Sequence, residues 1–289
     1  VKVQSRSVGE INRAADRDAC REDRAQRRAA ARAKASRPIK VVIVLVALVA
    51  LLWIAYFIAL QTSAFTITDV QVEGADHLTE QEVMALADVA DDATLLNVDT
   101  AAIATNFKRD AWVSDVKVKR EFPSTLKIVV TERQMQAVVE VPVGATQAIQ
   151  DWAISEDGIW LMAIPSAEST IGKQLSSKIY EDAASMLLIT GVPYGVSPAI
   201  GAQCSDSNIL NALEIVAGMT TDLADRVKKV TATDAESTLL TLDDNVEIAF
   251  GTADDIREKE RIVKEIMSSV ENVVYINVRV PERPTWRAA

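Results

Sequence analysis

The sequence offers few side chains with reactive potential. Ser-x-x-Lys occurs twice, at Ser114…Lys117 and Ser124…Lys127. On a helix, residues three apart share a face, so a lysine can there activate a serine for acyl transfer. Here both matches fall in or beside alternating apolar runs that read as strands, where residues three apart point to opposite sides. The companion Ser-Asp-Asn and Lys-Thr-Gly motifs are absent, so both matches read as chance. One histidine, His77, sits in a turn and reads as a solvated loop residue. A single histidine leaves little material for a Ser-His-Asp, Cys-His or histidine-zinc centre. Cys20 and Cys204 are too few for a disulfide framework. Cys204 has no histidine or cysteine near it in sequence and reads as a partly buried thiol. The acidic pairs Asp91-Asp92, Asp243-Asp244 and Asp254-Asp255 lack calcium-loop spacing and read as solvated turns or helix-start residues. No glycine-rich phosphate loop is present. The expectation is a chain with no catalytic residues, no metal and no cofactor.

What remains is placement. The 289 residues carry a formal net charge of −10, which disfavours a nucleic-acid binder. The charge is divided unevenly. Residues 1–40 hold twelve basic against five acidic residues, whereas the rest holds 36 acidic against 19 basic. Halves so different usually occupy different environments. Between them, residues 41–60 read VVIVLVALVALLWIAYFIAL, twenty in a row without a charge. As a helix this run would span ~30 Å, the thickness of a hydrocarbon core. Arg37 and Lys40 immediately before it predict a cytoplasmic N-terminal side, with Trp53, Tyr56 and Phe57 toward the far interface. Thr62 and Ala64 would suit a cleavage site, but the run exceeds a signal h-region, so an uncleaved single-pass anchor of type II topology is expected. The basic tail, 1–40, is expected to be disordered.

Beyond the anchor, two modules are expected. In 65–133 a short strand at Phe65–Val72 precedes a capping box, Thr79-Glu80-Gln81-Glu82. A second helix is capped by Asp99 or Thr100. Val116 and Val118 then alternate with Lys117 and Lys119, and Leu126, Ile128 and Val130 alternate with their neighbours across a Phe122-Pro123-Ser124 turn. The order β-α-α-β-β is α+β, a three-stranded sheet with both helices on one face. Residues 134–281 read as a mostly antiparallel β module with helical insertions. Met135–Val141 is a strand stopped by Pro142, and Trp152–Ser155 and Ile159–Met162 form a hairpin. Leu187–Thr190 is a buried strand, and Ser207 to Met219 a helix. Val227–Ala232, Thr238–Leu242 and Val246–Phe250 form a meander. A second capping box at Thr252-Ala253-Asp254-Asp255 opens a helix with Ile256, Ile262, Val263, Ile266, Met267 and Val270 on one face. Val273–Val280 closes the module, with Val274, Ile276, Val278 and Val280 on one side and Tyr275, Asn277 and Arg279 on the other. Residues 282–289 are a tail after Pro281.

The anchor, the β-α-α-β-β order and the run Phe122-Pro123-Ser124-Thr125-Leu126-Lys127-Ile128-Val129-Val130-Thr131-Glu132-Arg133 resemble the POTRA domain of the FtsQ/DivIB cell-division family. Asp151-Trp152 to Gly158, Leu188-Ile189-Thr190-Gly191, Glu258-Lys259 and Ile276-Asn277-Val278-Arg279-Val280 resemble that family's β domain. Gln134-Met135-Gln136-Ala137 departs from the family's usual junction. The resemblance implies a non-enzymatic bitopic scaffold at the division septum. It docks an FtsB/DivIC-type partner, itself paired with FtsL, through the terminal strand and preceding helix, and contacts other divisome and septal wall-synthesis proteins. Carried over residue by residue, this points to Tyr275, Asn277, Arg279 and Val280, and to the helix face around Lys259. Trp286 joins them as an exposed aromatic anchor. An open terminal strand has unpaired N–H and C=O groups that invite strand addition. The alternatives are an anchored extracytoplasmic cell-wall enzyme, which should show a catalytic set, and a POTRA-type transport component, which should show repeated modules or a barrel.

Overall fold

The computed structural model describes residues 42–54 and 65–289. Residues 42–54 form one helix, α1, whose side chains are exposed along its whole length. Among the described residues no helix is long and apolar enough to cross a membrane. The expected basic tail and residues 41 and 55–60 of the expected span lie outside the described residues.

The first module after it runs β1 (Asp69–Glu73), α2 (Glu80–Ala87), α3 (Thr100–Phe107), β2 (Val113–Glu121) and β3 (Thr125–Glu132). The sheet order is β1-β3-β2, with β1 parallel and β2 antiparallel to β3. The capping box forms as its spacing requires: Thr79 Oγ1 accepts the Glu82 N–H and the Glu82 carboxylate accepts the Thr79 N–H at 2.8 Å. Asp99 caps α3, accepting the N–H groups of Ala101 and Ala102. Val83, Ala87, Ile103 and Phe107 of the helices are buried, as are Val116, Leu126, Ile128 and Val130 of the strands. That leaves Lys117 and Lys119 on the sheet's other face. Gly74 closes β1 in the left-handed region, φ 79°, and a Cβ there would stand 2.4 Å from the Val130 carbonyl oxygen.

The second module comprises β4 (Met135–Val143), β5 (Ala148–Ser155), β6 (Trp160–Ile164), α4 (Ser177–Ser185), β7 (Leu187–Thr190), α5 (Ser207–Gly218) and α6 (Thr221–Ala224). It continues with β8 (Val227–Thr231), β9 (Leu239–Leu242), β10 (Glu247–Ala249), α7 (Ile256–Ser269), β11 (Val273–Asn277) and β12 (Thr285–Ala288). They build one sheet in the order β12-β11-β10-β9-β8-β7-β4-β5-β6. It is mostly antiparallel. The parallel pairs β4–β7, β7–β8 and β10–β11 occur where the connecting chain contains helices. One apolar core joins Val139, Ile189, Val230, Leu240, Ile248 and Ile276 of the strands to Ile209, Ile215, Val263 and Ile266 of α5 and α7.

Four expectations are corrected. Pro142 does not stop β4, which runs to Val143; Pro142 lies opposite Ile149 beyond the stretch of β4 that also pairs with β7. The Thr252–Asp255 capping box does not form. Asp255 is the N-cap in a left-handed conformation without a side-chain cap, because Asp254 turns to Lys259 and accepts from the Thr252 hydroxyl. The terminal strand ends at Asn277 rather than Val280: the Asn277 side chain accepts the Arg279 N–H and bends the chain, and Pro281 and Pro284 bar further pairing. The residues after Pro281 are not simply a tail, since Thr285–Ala288 returns as a strand beside β11.

The modules meet at residues that carry charge. Arg133, at the end of β3, donates to the carbonyls of Ala111 and Val113 and to Asp157 in the β5–β6 turn. His77 is not a solvated loop residue. Its side chain is 10% exposed, stacked on Trp112 with ring centroids 4.2 Å apart, and lies between Glu132 and Asp182.

Candidate functional site

The candidate site is the β11–β12 corner of the large sheet, and its geometry follows from the crossover before it. The apolar stripe of α7 packs into the core and delivers the chain back beside β10, so β11 lies parallel to β10 with Tyr275 opposite Glu247, Ile276 opposite Ile248 and Asn277 opposite Ala249. Ile276 therefore points into the core and is fully buried, while Tyr275 and Asn277 point to the other face. The turn through Arg279–Pro284 is closed by the Arg283 N–H donating to the Val280 carbonyl at 3.0 Å. β12 then runs antiparallel to β11, with Asn277 opposite Thr285, Ile276 opposite Trp286 and Tyr275 opposite Arg287. It is the outermost strand of the sheet, and all four of its residues are exposed.

Five of the six residues singled out in the sequence come together here. The Tyr275 ring lies under the Arg287 guanidinium, 5.7 Å from its centre. Asn277 is committed to the turn through its bond to the Arg279 N–H. Arg279 packs its stem over Gly251 and is otherwise exposed. Val280 is 53% exposed and Trp286 50% exposed, on the rim of the corner. Trp286 shares a face with the buried Ile276, so half of its ring area remains available beside the core.

Lys259 does not join them. It is fully buried, its Nζ donating to Asp254 Oδ1 at 2.7 Å and to the Thr252 carbonyl at 2.9 Å, 5.2 Å from the centre of the Phe250 ring. A buried ammonium must be paired, and the Asp254 carboxylate does this. In turn Lys259, helped by the Thr252 hydroxyl, holds Asp254 down to about 2. Lys259 is thus an internal tie, buried away from the exposed corner. The sequence reading missed Thr285 and Arg287, although Thr-Trp-Arg after a proline is a strand-forming triplet. Among the described residues no group of histidine, cysteine and acidic side chains is disposed to hold a metal ion. Cys204 is buried in apolar surroundings that push its thiol upward, away from the nucleophilic thiolate form.

The model for the FtsQ-type POTRA domain matches residues 65–133, and that for the C-terminal domain of the cell division proteins FtsQ/DivIB matches residues 147–279. The chain belongs to the FtsQ/DivIB family. Among its relatives, the cell division protein FtsQ of Mycolicibacterium smegmatis is 29% identical over 240 residues, which cover 83% of this chain and 62% of that protein. FtsQ of Mycobacteroides abscessus is 28% identical over 84% of this chain and 67% of its own length. FtsQ of Streptomyces collinus is 25% identical over 88% of this chain and 90% of its own. The chain spans just under two thirds of the first of these relatives. The first matched region coincides with the first module, whereas the second lies within the second module, beginning after β4 and ending at Arg279, before β12.

Proposed function

We propose that this FtsQ/DivIB-family chain is a non-catalytic, membrane-anchored scaffold of the divisome. In this reading residues 41–60 form a single spanning helix with 1–40 on the cytoplasmic side. The modules 65–133 and 134–281, with the strand beyond Pro281, then stand outside the cytoplasm at the septum. There β12 accepts a strand from an FtsB/DivIC-type protein paired with an FtsL-type protein, and the assembly helps to recruit septal peptidoglycan synthesis.

The observation that carries the reading is the position of β12: a four-residue, wholly exposed strand at the open end of a nine-stranded sheet. Its outer N–H and C=O groups are free to pair, since only its inner side faces β11. Trp286 and Val280 supply apolar area beside that edge, and Arg279 supplies a guanidinium suited to a partner carboxylate. The exposed apolar faces of α1 agree with a helix whose surroundings are lipid.

The test is site-specific photocrosslinking in dividing cells, with the reactive group placed in turn at Thr285, Arg287, Tyr275 and Arg279, and at Met162 on the opposite edge strand. The expected result is one captured small bitopic division protein from the β12 positions and none from Met162. Equal yield from Met162, or no capture from β12, would refute strand addition at this edge. Accessibility of residues 1–40 to a protease added outside intact cells would refute the topology.

A further inference from the structure

We propose that His77 is a proton-controlled latch that fastens the C-terminal module to the POTRA domain. The chain has one histidine, and it stands where the two modules touch. Nδ1 lies 2.5 Å from Glu132 at the end of β3, on its own module, and Nε2 lies 2.9 Å from Asp182 on α4 of the other. A neutral imidazole has one N–H and can donate to only one carboxylate; an imidazolium donates to both. The double contact is therefore a property of the protonated ring. Around it the same seam is thin. Ser176 donates to the Asp76 carbonyl at 2.9 Å, and Arg133 reaches Asp157 at 3.2 Å. A cavity of about 480 Å³ opens beside the latch, lined by Gly74, His77, Glu132, Lys178, Asp182 and Met186. Loss of one charged tie has few neighbours to compensate for it.

The surrounding charges set the direction of the response. Trp112 stacks on one face of the ring. Toward it stand Glu132 and Arg133 from β3, Asp182 and Lys178 from α4, and Asp76 from its own loop. Asp110 lies before β2 and Glu82 on α2, near enough to Glu132 that burial and their mutual charge lift Asp110 above the usual carboxylate range. Burial alone would disfavour a charged His77, but its hydrogen bonds to Glu132 and Asp182, and their negative charge, outweigh burial and raise it above 6.5. For Asp182 burial again opposes the charge, and the Lys178 and His77 bonds prevail and lower it. A histidine raised on folding contributes all of its stabilisation below its ordinary value and loses it as pH rises through the elevated one. The latch is shut below the ordinary histidine value of 6.5 and opens as the pH rises through the elevated one.

The experiment uses the full chain in lipid nanodiscs, purified through a histidine-free tag and labelled with carbon-13 at histidine Cε1. The single ring resonance is titrated by NMR, and amide exchange of α4, corrected for the intrinsic pH dependence, is followed in parallel. The expected midpoint lies above 6.5, with α4 protection falling across the same interval by about tenfold for each unit of elevation. Asp182→Asn keeps the ring and its Glu132 bond. It should lower the midpoint and weaken the gain of α4 protection at low pH, because the amide that replaces the carboxylate accepts from the ring without a counter-charge. His77→Gln should make α4 exchange independent of pH. A midpoint at or below 6.5, α4 protection that does not follow the ring, or an Asp182→Asn chain with the wild-type response would each overturn the latch. A His77→Gln chain that does not fold leaves Asp182→Asn to decide.

Discussion

Replacing Trp286 by alanine should weaken partner capture far more than it weakens the fold. A tryptophan side chain buries ~150–250 Å² when fully covered. Trp286 is 50% exposed, on the core-side face of β12 beside Ile276. About half of that area, ~75–125 Å², is then open to an incoming chain, worth ~2–3 kcal/mol at ~25 cal/mol/Å². At ~1.4 kcal/mol per tenfold, the dissociation constant should rise by ~25- to 200-fold. The assay is calorimetric titration of the full chain in nanodiscs with the protein captured from β12 by crosslinking. Trp286→Phe should recover most of the loss, because a phenyl ring covers much of the same patch. Met162→Ala, on the other edge strand, should stay within about threefold of wild type, since no partner contact is assigned there. A Trp286→Ala chain that melts like wild type and binds within threefold of it would refute the placement of the docking edge.

Three further outcomes are expected. Arg279→Glu combined with Tyr275→Ala should abolish capture in pull-down while the thermal melt stays close to wild type, because Arg279 is exposed and Tyr275 only partly buried. Asp254→Asn leaves the fully buried Lys259 ammonium without a counter-charge and should cost about 1–3 kcal/mol in urea unfolding, more than Lys259→Met, which removes the charge and keeps the stem. Because Asp254 is lowered from 3.8 to about 2, wild type should lose this stabilisation as pH falls from 4 toward 2, and the Asp254→Asn chain should not show that step. Gly74→Ala should lower the melting temperature at a cost of about 1–3 kcal/mol, since a Cβ would meet the Val130 oxygen at 2.4 Å on a backbone already at φ 79°.

How far the sequence disclosed this structure depended on whether a residue's role is local. Thr79 and Glu82 form their capping box because the partners are three residues apart in one turn. The alternation of Leu126, Ile128 and Val130 yields β3 with those side chains inward for the same reason. Lys259 shows the limit. It lies on the buried stripe of α7 between Ile256 and Ile262, and its position alone implied burial. The expectation that lysine seeks solvent obscured this, and the acid that pays for the burial stands five residues back, in the segment read as a capping box. His77 is harder still. Its partners are 55 and 105 residues away, and no periodicity in the chain connects them. The β11–β12 corner falls between these cases: the alternation from Val274 to Val278 is real, but Asn277 turns the chain three residues before the expected end at Val280.

In the proposed function, that turn decides which strand is open to a partner. Had the strand continued to Val280, its outer edge would have belonged to a core strand whose every residue is fixed by β10 and the packing beneath. Instead β11 is enclosed on both sides, and the open edge passes to a strand of four exposed residues held by backbone pairing and half a tryptophan. A short, exposed edge strand opens more readily than enclosed ones. Under the proposed strand addition, a partner strand would complete its hydrogen bonding and cover Trp286, so binding would order the edge that does the binding. The stability of the incoming complex and that of β12 are therefore one quantity. Amide exchange at Trp286 and Arg287 should slow on partner binding, while Ile276 and Ile248, already enclosed, should be unchanged.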